Sequence, residues 1–148
     1  MKKVLLLLPA VVFLSILTVS AQIRKIPQEV TEALKNKFPD AQKVEWKDKL
    51  TNFQADFTWQ GAEWTAEFTG KGEWIESNKK LSFDALPAAV KDGFKKSKFN
   101  DWTPGSVTWI EKSDNTSCYK IYVEKSAVQK MFLFFSKAGV LERESPGV

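Results

Sequence analysis

The chain has no histidine and one cysteine, Cys118, in 148 residues. Without histidine there is no Ser-His-Asp triad, no Cys-His pair and no histidine-ligated zinc or haem. A lone cysteine cannot close an intramolecular disulfide, complete a four-cysteine zinc site or hold an iron–sulfur cluster. None of the 7 glycines falls in a phosphate-cradling loop. Nothing after residue 21 is apolar over the roughly 20 residues that a bilayer crossing needs. With 43% hydrophobic and 27% charged residues, the chain is too apolar for a disordered tail. It is also short for a dehydrogenase or a barrel enzyme.

What is present starts with a leader. Lys2 and Lys3 form a positive head, Val4 to Leu17 is apolar apart from Pro9 and Ser15, and Thr18-Val19-Ser20-Ala21 supplies small residues. This pattern predicts a signal peptide over 1–21, cleavage after Ala21, and a periplasmic or extracellular home. Losing Lys2 and Lys3 lowers the net charge from +4 to +2. The basic pairs Lys79-Lys80 and Lys95-Lys96 are short, so they read as solvated faces. No nucleic-acid partner is expected, and no membrane contact after cleavage.

The remainder carries a weak internal duplication. Ile26-Pro27-Gln28-Glu29-Val30 recurs as Leu86-Pro87-Ala88-Ala89-Val90, an offset of 60. Val44-Glu45-Trp46 recurs as Val107-Thr108-Trp109, an offset of 63, and Phe68 to Trp74 recurs as Phe135 to Leu141, an offset of 67. The ordered matches predict two units, 22–80 and 81–148, that together make one compact domain.

Each unit reads as a helix followed by an antiparallel meander, an α+β fold made by tandem duplication. Pro27 suits a helix start, and Val30, Leu34 and Phe38 then share one helical face. Pro39 stops that helix. Pro87, Val90 and Phe94 repeat the pattern, although Gly93 weakens the second helix. Phe53, Ala55, Phe57 and Trp59 alternate with Gln54, Asp56 and Thr58, then Trp64, Ala66 and Phe68 continue the apolar face after Gln60-Gly61-Ala62. This is a hairpin with one buried and one wet face. Gly70-Lys71-Gly72 turns the chain into Trp74-Ile75, and Asp114-Asn115-Thr116 reads as another turn.

In the second unit Tyr119, Ile121 and Val123 alternate with Cys118, Lys120, Tyr122 and Glu124. Because Phe135 matches Phe68, counting back by two places Leu133 and Met131 in the core as well. Phe132 and Phe134 then share the opposite face with Tyr122. The open face is thus polar in the first unit and aromatic in the second. Lys120, Tyr122, Phe132 and Phe134 form the candidate partner-binding face, because exposed aromatic patches mark partner surfaces. Burial of the same patch in a dimer, or by the sheets folding over each other, is the competing reading.

Several motifs follow one another in a specific order: Ile26-Pro27-x-x-Val30, Lys37-Phe38-Pro39-x-Ala41, Val44-x-Trp46, Ala55-x-Phe57, Ala66-x-Phe68, Gly72-x-Trp74 and Leu86-Pro87-x-x-Val90. Together, over roughly Ile26 to Glu142, the chain resembles the secreted bacterial PepSY-like proteins, also described as beta-lactamase-inhibitor-like. The resemblance implies a duplicated helix-plus-sheet fold, a periplasmic or extracellular home and a protein partner. The namesake beta-lactamase inhibitory protein grips its enzyme with a concave aromatic sheet face. This chain lacks the paired cysteines that staple that inhibitor.

The remaining chemistry is sparse. Asp56 and Glu67 are expected near each other across the first hairpin, but a small sheet face gives no deep cleft to raise a carboxyl pKa. Cys118 reads as an inert, half-buried thiol with Lys120 as its weak neighbour. The sequence therefore points to a non-enzymatic binding module that recognises a protein or peptide through an aromatic sheet face, with inhibition as one consequence. A small-ligand carrier or sensor of the cell envelope, with an apolar pocket between helix and sheet, is the alternative. No catalytic residue, cofactor or metal is expected.

Overall fold

A computed structural model describes residues 24–147; the leader expected at 1–21 lies outside them. Eight strands form one sheet in sequence order: β1 (Gln42–Asp48), β2 (Asn52–Trp59), β3 (Ala62–Thr69), β4 (Trp74–Leu81), β5 (Thr103–Lys112), β6 (Ser117–Ser126), β7 (Gln129–Phe135) and β8 (Leu141–Pro146). Every neighbouring pair is antiparallel. Two α-helices, α1 (Gln28–Lys37) and α2 (Ala88–Lys96), precede β1 and β5, and a short 3-10 turn spans Phe83–Ala85. The fold is α+β, and each half holds one α-helix followed by four strands.

The helices start where the prolines dictate. Pro27 and Pro87 stand immediately before the first helical residues in extended conformation, where a missing N–H breaks no helical bond. Val30, Leu34 and Phe38 bury one stripe of α1, and Val90 and Phe94 bury the matching stripe of α2. The α1 stripe packs on Phe53, Ala55, Phe57, Ala66 and Phe68. The α2 stripe packs on Val107, Ile121, Val123, Leu133 and Phe135. Full burial of each such side chain contributes about 1.5–3 kcal/mol, so the two clusters fix the helices to the sheet.

Register places both clusters on the same side. Ala66 faces Ser77, Ser77 faces Glu111, Leu81 faces Val107, and Val107 faces Ile121. Both helices therefore cover one face of a continuous sheet, and the other face carries no helix. Pairing of β4 with β5 joins the halves across residues 80 and 81. Gly93, expected to weaken α2, sits inside a helix that runs on to Lys96. Its role is close approach: a Cβ there would lie 1.9 Å from the Gly139 carbonyl oxygen.

Candidate functional site

The open face is built by alternation. Residues opposite the buried set point away from the helices: Gln54 and Asp56 on β2, Thr65 and Glu67 on β3, Asn78 and Lys80 on β4, Thr108 and Ile110 on β5, Lys120 and Tyr122 on β6, and Phe132 and Phe134 on β7. One cross-strand row runs Lys80, Thr108, Lys120, Phe134 and Arg143. A second joins Tyr122 to Phe132 and Phe132 to Ser145. Register thus brings the four expected face residues together on adjacent strands.

Their exposure differs. Tyr122 and Phe132 are half-buried, with ring centroids 5.5 Å apart and planes tilted by 57°. A bulge in β5 between Pro104 and Val107 places Gly105 under the Tyr122 ring, where a Cβ would come within 2.8 Å of it. The Tyr122 hydroxyl donates to Glu124 at 3.3 Å. Loss of solvent and the Glu124 carboxylate both push the Tyr122 phenol pKa upward. Lys120 Nζ stands 5.3 Å from the Phe132 ring centroid, close enough for a cation–π contact.

Phe134 corrects the expectation of an exposed ring. It lies on the open face as expected, yet only 8% of its surface is exposed. The Arg143 guanidinium lies 3.5 Å from its ring centroid and covers it. Arg143 is the residue opposite Phe134 on β8, so the cover is a consequence of register. Sequence reasoning missed both Arg143 and Gly105, whose signals exist only after strands are paired.

The middle of the open face is a polar trough of about 620 Å³. Glu45, Lys47, Asp56, Thr65, Asn78 and Lys120 are among its walls. Lys120 lines the trough and touches the aromatic pair, so the two features are continuous. Asp56 is the most heavily bonded group there. It pairs with Lys47 and accepts hydrogen bonds from Gln54 at 2.7 Å and Thr65 at 3.0 Å. Burial pushes its carboxyl upward, but the bonds from Lys47, Gln54 and Thr65 outweigh burial and hold it below the ordinary carboxylate range.

Asp56 and Glu67 are not direct partners. Asp56 faces Thr65, whereas Glu67 faces Gln54 on one side and Glu76 on the other. Burial pushes the Cys118 thiol pKa upward, ahead of the opposing pull of Lys112 and other nearby cations. Such a thiol is less nucleophilic at neutral pH than a free cysteine. No cluster of three or more metal-ligating side chains occurs among the described residues. No described helix is long and apolar enough to cross a membrane. The face thus combines an aromatic pair with an adjoining hydrogen-bonding trough.

Comparison with known proteins agrees with this architecture. A family model described as "Putative beta-lactamase-inhibitor-like, PepSY-like" matches residues 51–143, and the chain belongs to that family. A BLIP-like protein of Bacteroides fragilis has 28% identity and a TM-score of 0.78, covering 82% of this chain and 86% of its own. A structure from Bacteroides eggerthii, titled "putative periplasmic proteins", has 29% identity and a TM-score of 0.76, covering 82% and 89%. A DUF2874 family protein of Bacteroides ovatus has 25% identity and a TM-score of 0.78, covering 82% and 88%. No curated protein matches the chain at a significant level.

Proposed function

We propose that the protein is a non-enzymatic binding module of the periplasm or extracellular space, and that it docks a protein partner on the open face of its sheet. One observation carries this reading. Both helices cover the same side of an eight-stranded sheet, which leaves the opposite face bare and continuous from Glu45 on β1 to Arg143 on β8. An antiparallel sheet can present one face to water. A face that also carries an aromatic pair with a polar surround has the composition of a recognition surface.

Tyr122 and Phe132 supply the anchor, and Lys120 joins them to the trough. Phe134 lies beside them on the same face under the Arg143 guanidinium, so its ring is not offered to the partner. The low carboxyl pKa of Asp56 and the raised thiol pKa of Cys118 both favour binding over acid–base or nucleophilic chemistry. Inhibition would follow where the docked surface of the partner includes an active site. The periplasmic description of the B. eggerthii relative supports the compartment.

Site-directed photo-crosslinking in the native envelope tests this. A crosslinker at Tyr122 or Lys130 should trap a discrete partner, and one at Lys95 on the helix side should not. Adducts from Lys95 alone would place recognition on the helices and overturn the reading. An adduct between two copies of the chain at Tyr122 would turn the docking face into a self-interface.

A further inference from the structure

Charge is segregated on the open face. In the first half, alternation places the acids Glu45, Asp56, Glu63, Glu67 and Glu76 there, with the bases Lys47 and Lys80. Both bases are already engaged, Lys47 by Asp56 and Lys80 by Glu63. Glu45, Glu67 and Glu76 take part in no ion pair among the described residues. Against them stands Lys43, at the slip in β1 pairing on the rim of the trough.

The second half inverts the sign. Lys112, Lys120, Lys130 and Arg143 lie on its open face, one on each of β5 to β8. None of the four takes part in an ion pair among the described residues. Lys112 faces Glu76 across β4 and β5, and Lys130 faces Glu124 across β6 and β7, without closing a bridge. The acids of this half of the face are Glu124, which the Tyr122 hydroxyl engages, and Glu142, at the irregularity in β8 pairing. Two of the cations are seated on rings: Lys120 Nζ is 5.3 Å from the Phe132 centroid and the Arg143 guanidinium 3.5 Å from that of Phe134.

These cations surround the Tyr122–Phe132 pair, so docking on that pair removes water from them. A charge that loses water is costly unless the partner pairs it. The partner therefore supplies carboxylates around the aromatic pair. A uniform polyanion would satisfy this half but would meet Glu45, Glu67 and Glu76 with like charge, which is repulsive. A protein surface can carry both signs in separate patches.

We propose, building on docking at the open face, that the partner is a protein whose docked surface is acidic where it meets β5 to β8 and basic where it meets β1 to β4. The two patches fix which way round the partner lies on the sheet, and they steer its approach.

Photo-crosslinking in the native envelope, with the joined peptides sequenced by mass spectrometry, tests the proposal. The partner peptide trapped by a crosslinker at Tyr122 should be rich in Asp and Glu, and that trapped at Asn78 rich in Lys and Arg. Lys112→Glu with Lys130→Glu should cut the yield of the Tyr122 adduct roughly fivefold or more. The charge-matched helix-side pair, Lys35→Glu with Lys95→Glu, should leave that yield unchanged. If the double reversal does not fold, Lys112→Gln with Lys130→Gln removes the same charges and should lower the yield in the same direction. An unchanged yield in a folded variant, an equal loss in the helix-side pair, or a Tyr122 peptide rich in Lys and Arg would overturn the charge inference and leave docking intact. An adduct that carries a polynucleotide or polysaccharide instead of a polypeptide would overturn it as well. Absence of any adduct at Tyr122 would overturn the docking reading and this inference together.

Discussion

Gly139 rests directly on the backbone of Ala89: a Cβ at Gly139 would lie 2.0 Å from the Ala89 carbonyl oxygen. The β7–β8 turn thereby seats on the first turn of α2. In the first half Gly72 stands in the same relation to Glu29, with a virtual Cβ 2.6 Å from that carbonyl oxygen. Both glycines have a φ of 82°. The two contacts join residues matched at offsets of 60 and 67, so each helix is docked by a turn as well as by its apolar stripe.

Gly139→Ala should therefore destabilise the protein by about 2–4 kcal/mol, since left-handed backbone alone costs roughly 1–2 kcal/mol and the clash adds to it. Gly72→Ala has the wider gap and should cost less. Gly93→Ala gives the sharper test. In an open helix it would add up to about 1 kcal/mol of stability, yet here the methyl would meet Gly139. Urea unfolding should show a loss; a gain would mean that the turn does not sit on α2.

The open face makes a prediction about stability as well as binding. Phe134→Ala removes a ring that is only 8% exposed although it lies on the helix-free face, so it should cost about 3–5 kcal/mol, as core phenylalanine truncations do. Tyr122→Ala and Phe132→Ala remove half-buried rings and should cost roughly 1–2 kcal/mol each. Thermal unfolding of the three variants separates anchor from support. Equal losses at all three positions would mean that Phe132 and Tyr122 are core residues.

Much of this arrangement is legible before folding. Proline placement, four-residue spacing and two-residue alternation locate α1, α2, β2, β3, β6 and β7 with their buried faces. β4 is not legible, because Glu76-Ser77-Asn78-Lys79-Lys80 has no apolar alternation. Midway along it the helix-side Ser77 and Lys79 belong to neither apolar cluster, and apolar contact is left to the strand's ends, Trp74 and Leu81. The continuity of the sheet is hidden for the same reason, since β4 supplies the join. Arg143 over Phe134 depends on register between β7 and β8, which alternation alone does not set. Gly93 reads as a weak point because propensity sees only the helix and not the turn that approaches it.

Cys118 offers a chemical test of the face. Its thiol is half-buried, and burial raises its pKa, so little thiolate forms at neutral pH. Alkylation by iodoacetamide at pH 7.5 should run severalfold slower than for a cysteine in an unstructured peptide, and should match that peptide after unfolding in urea. Fast modification of the folded protein would point to an activating environment that the neighbouring Lys112, Lys120 and Arg143 create together.

Asp56 sets the acid limit of the trough. Its folded pKa lies below the ordinary value, so the bonds from Lys47, Gln54 and Thr65 favour the charged carboxylate. Linkage then fixes the sign. The contribution is fully present above the unfolded pKa of about 3.9, and it is lost as pH falls through the lower folded value. Asp48 is lowered by Arg24 in the same direction and adds to the trend. Asp56→Asn should weaken the protein at pH 7 and flatten the fall in urea midpoint between pH 5 and pH 3. Wild type and variant should converge at the acid end, because a protonated Asp56 offers Lys47 no charge. Parallel curves across that range would show that Asp56 titrates alike in the folded and unfolded chains, and that its hydrogen bonds do not hold the trough together.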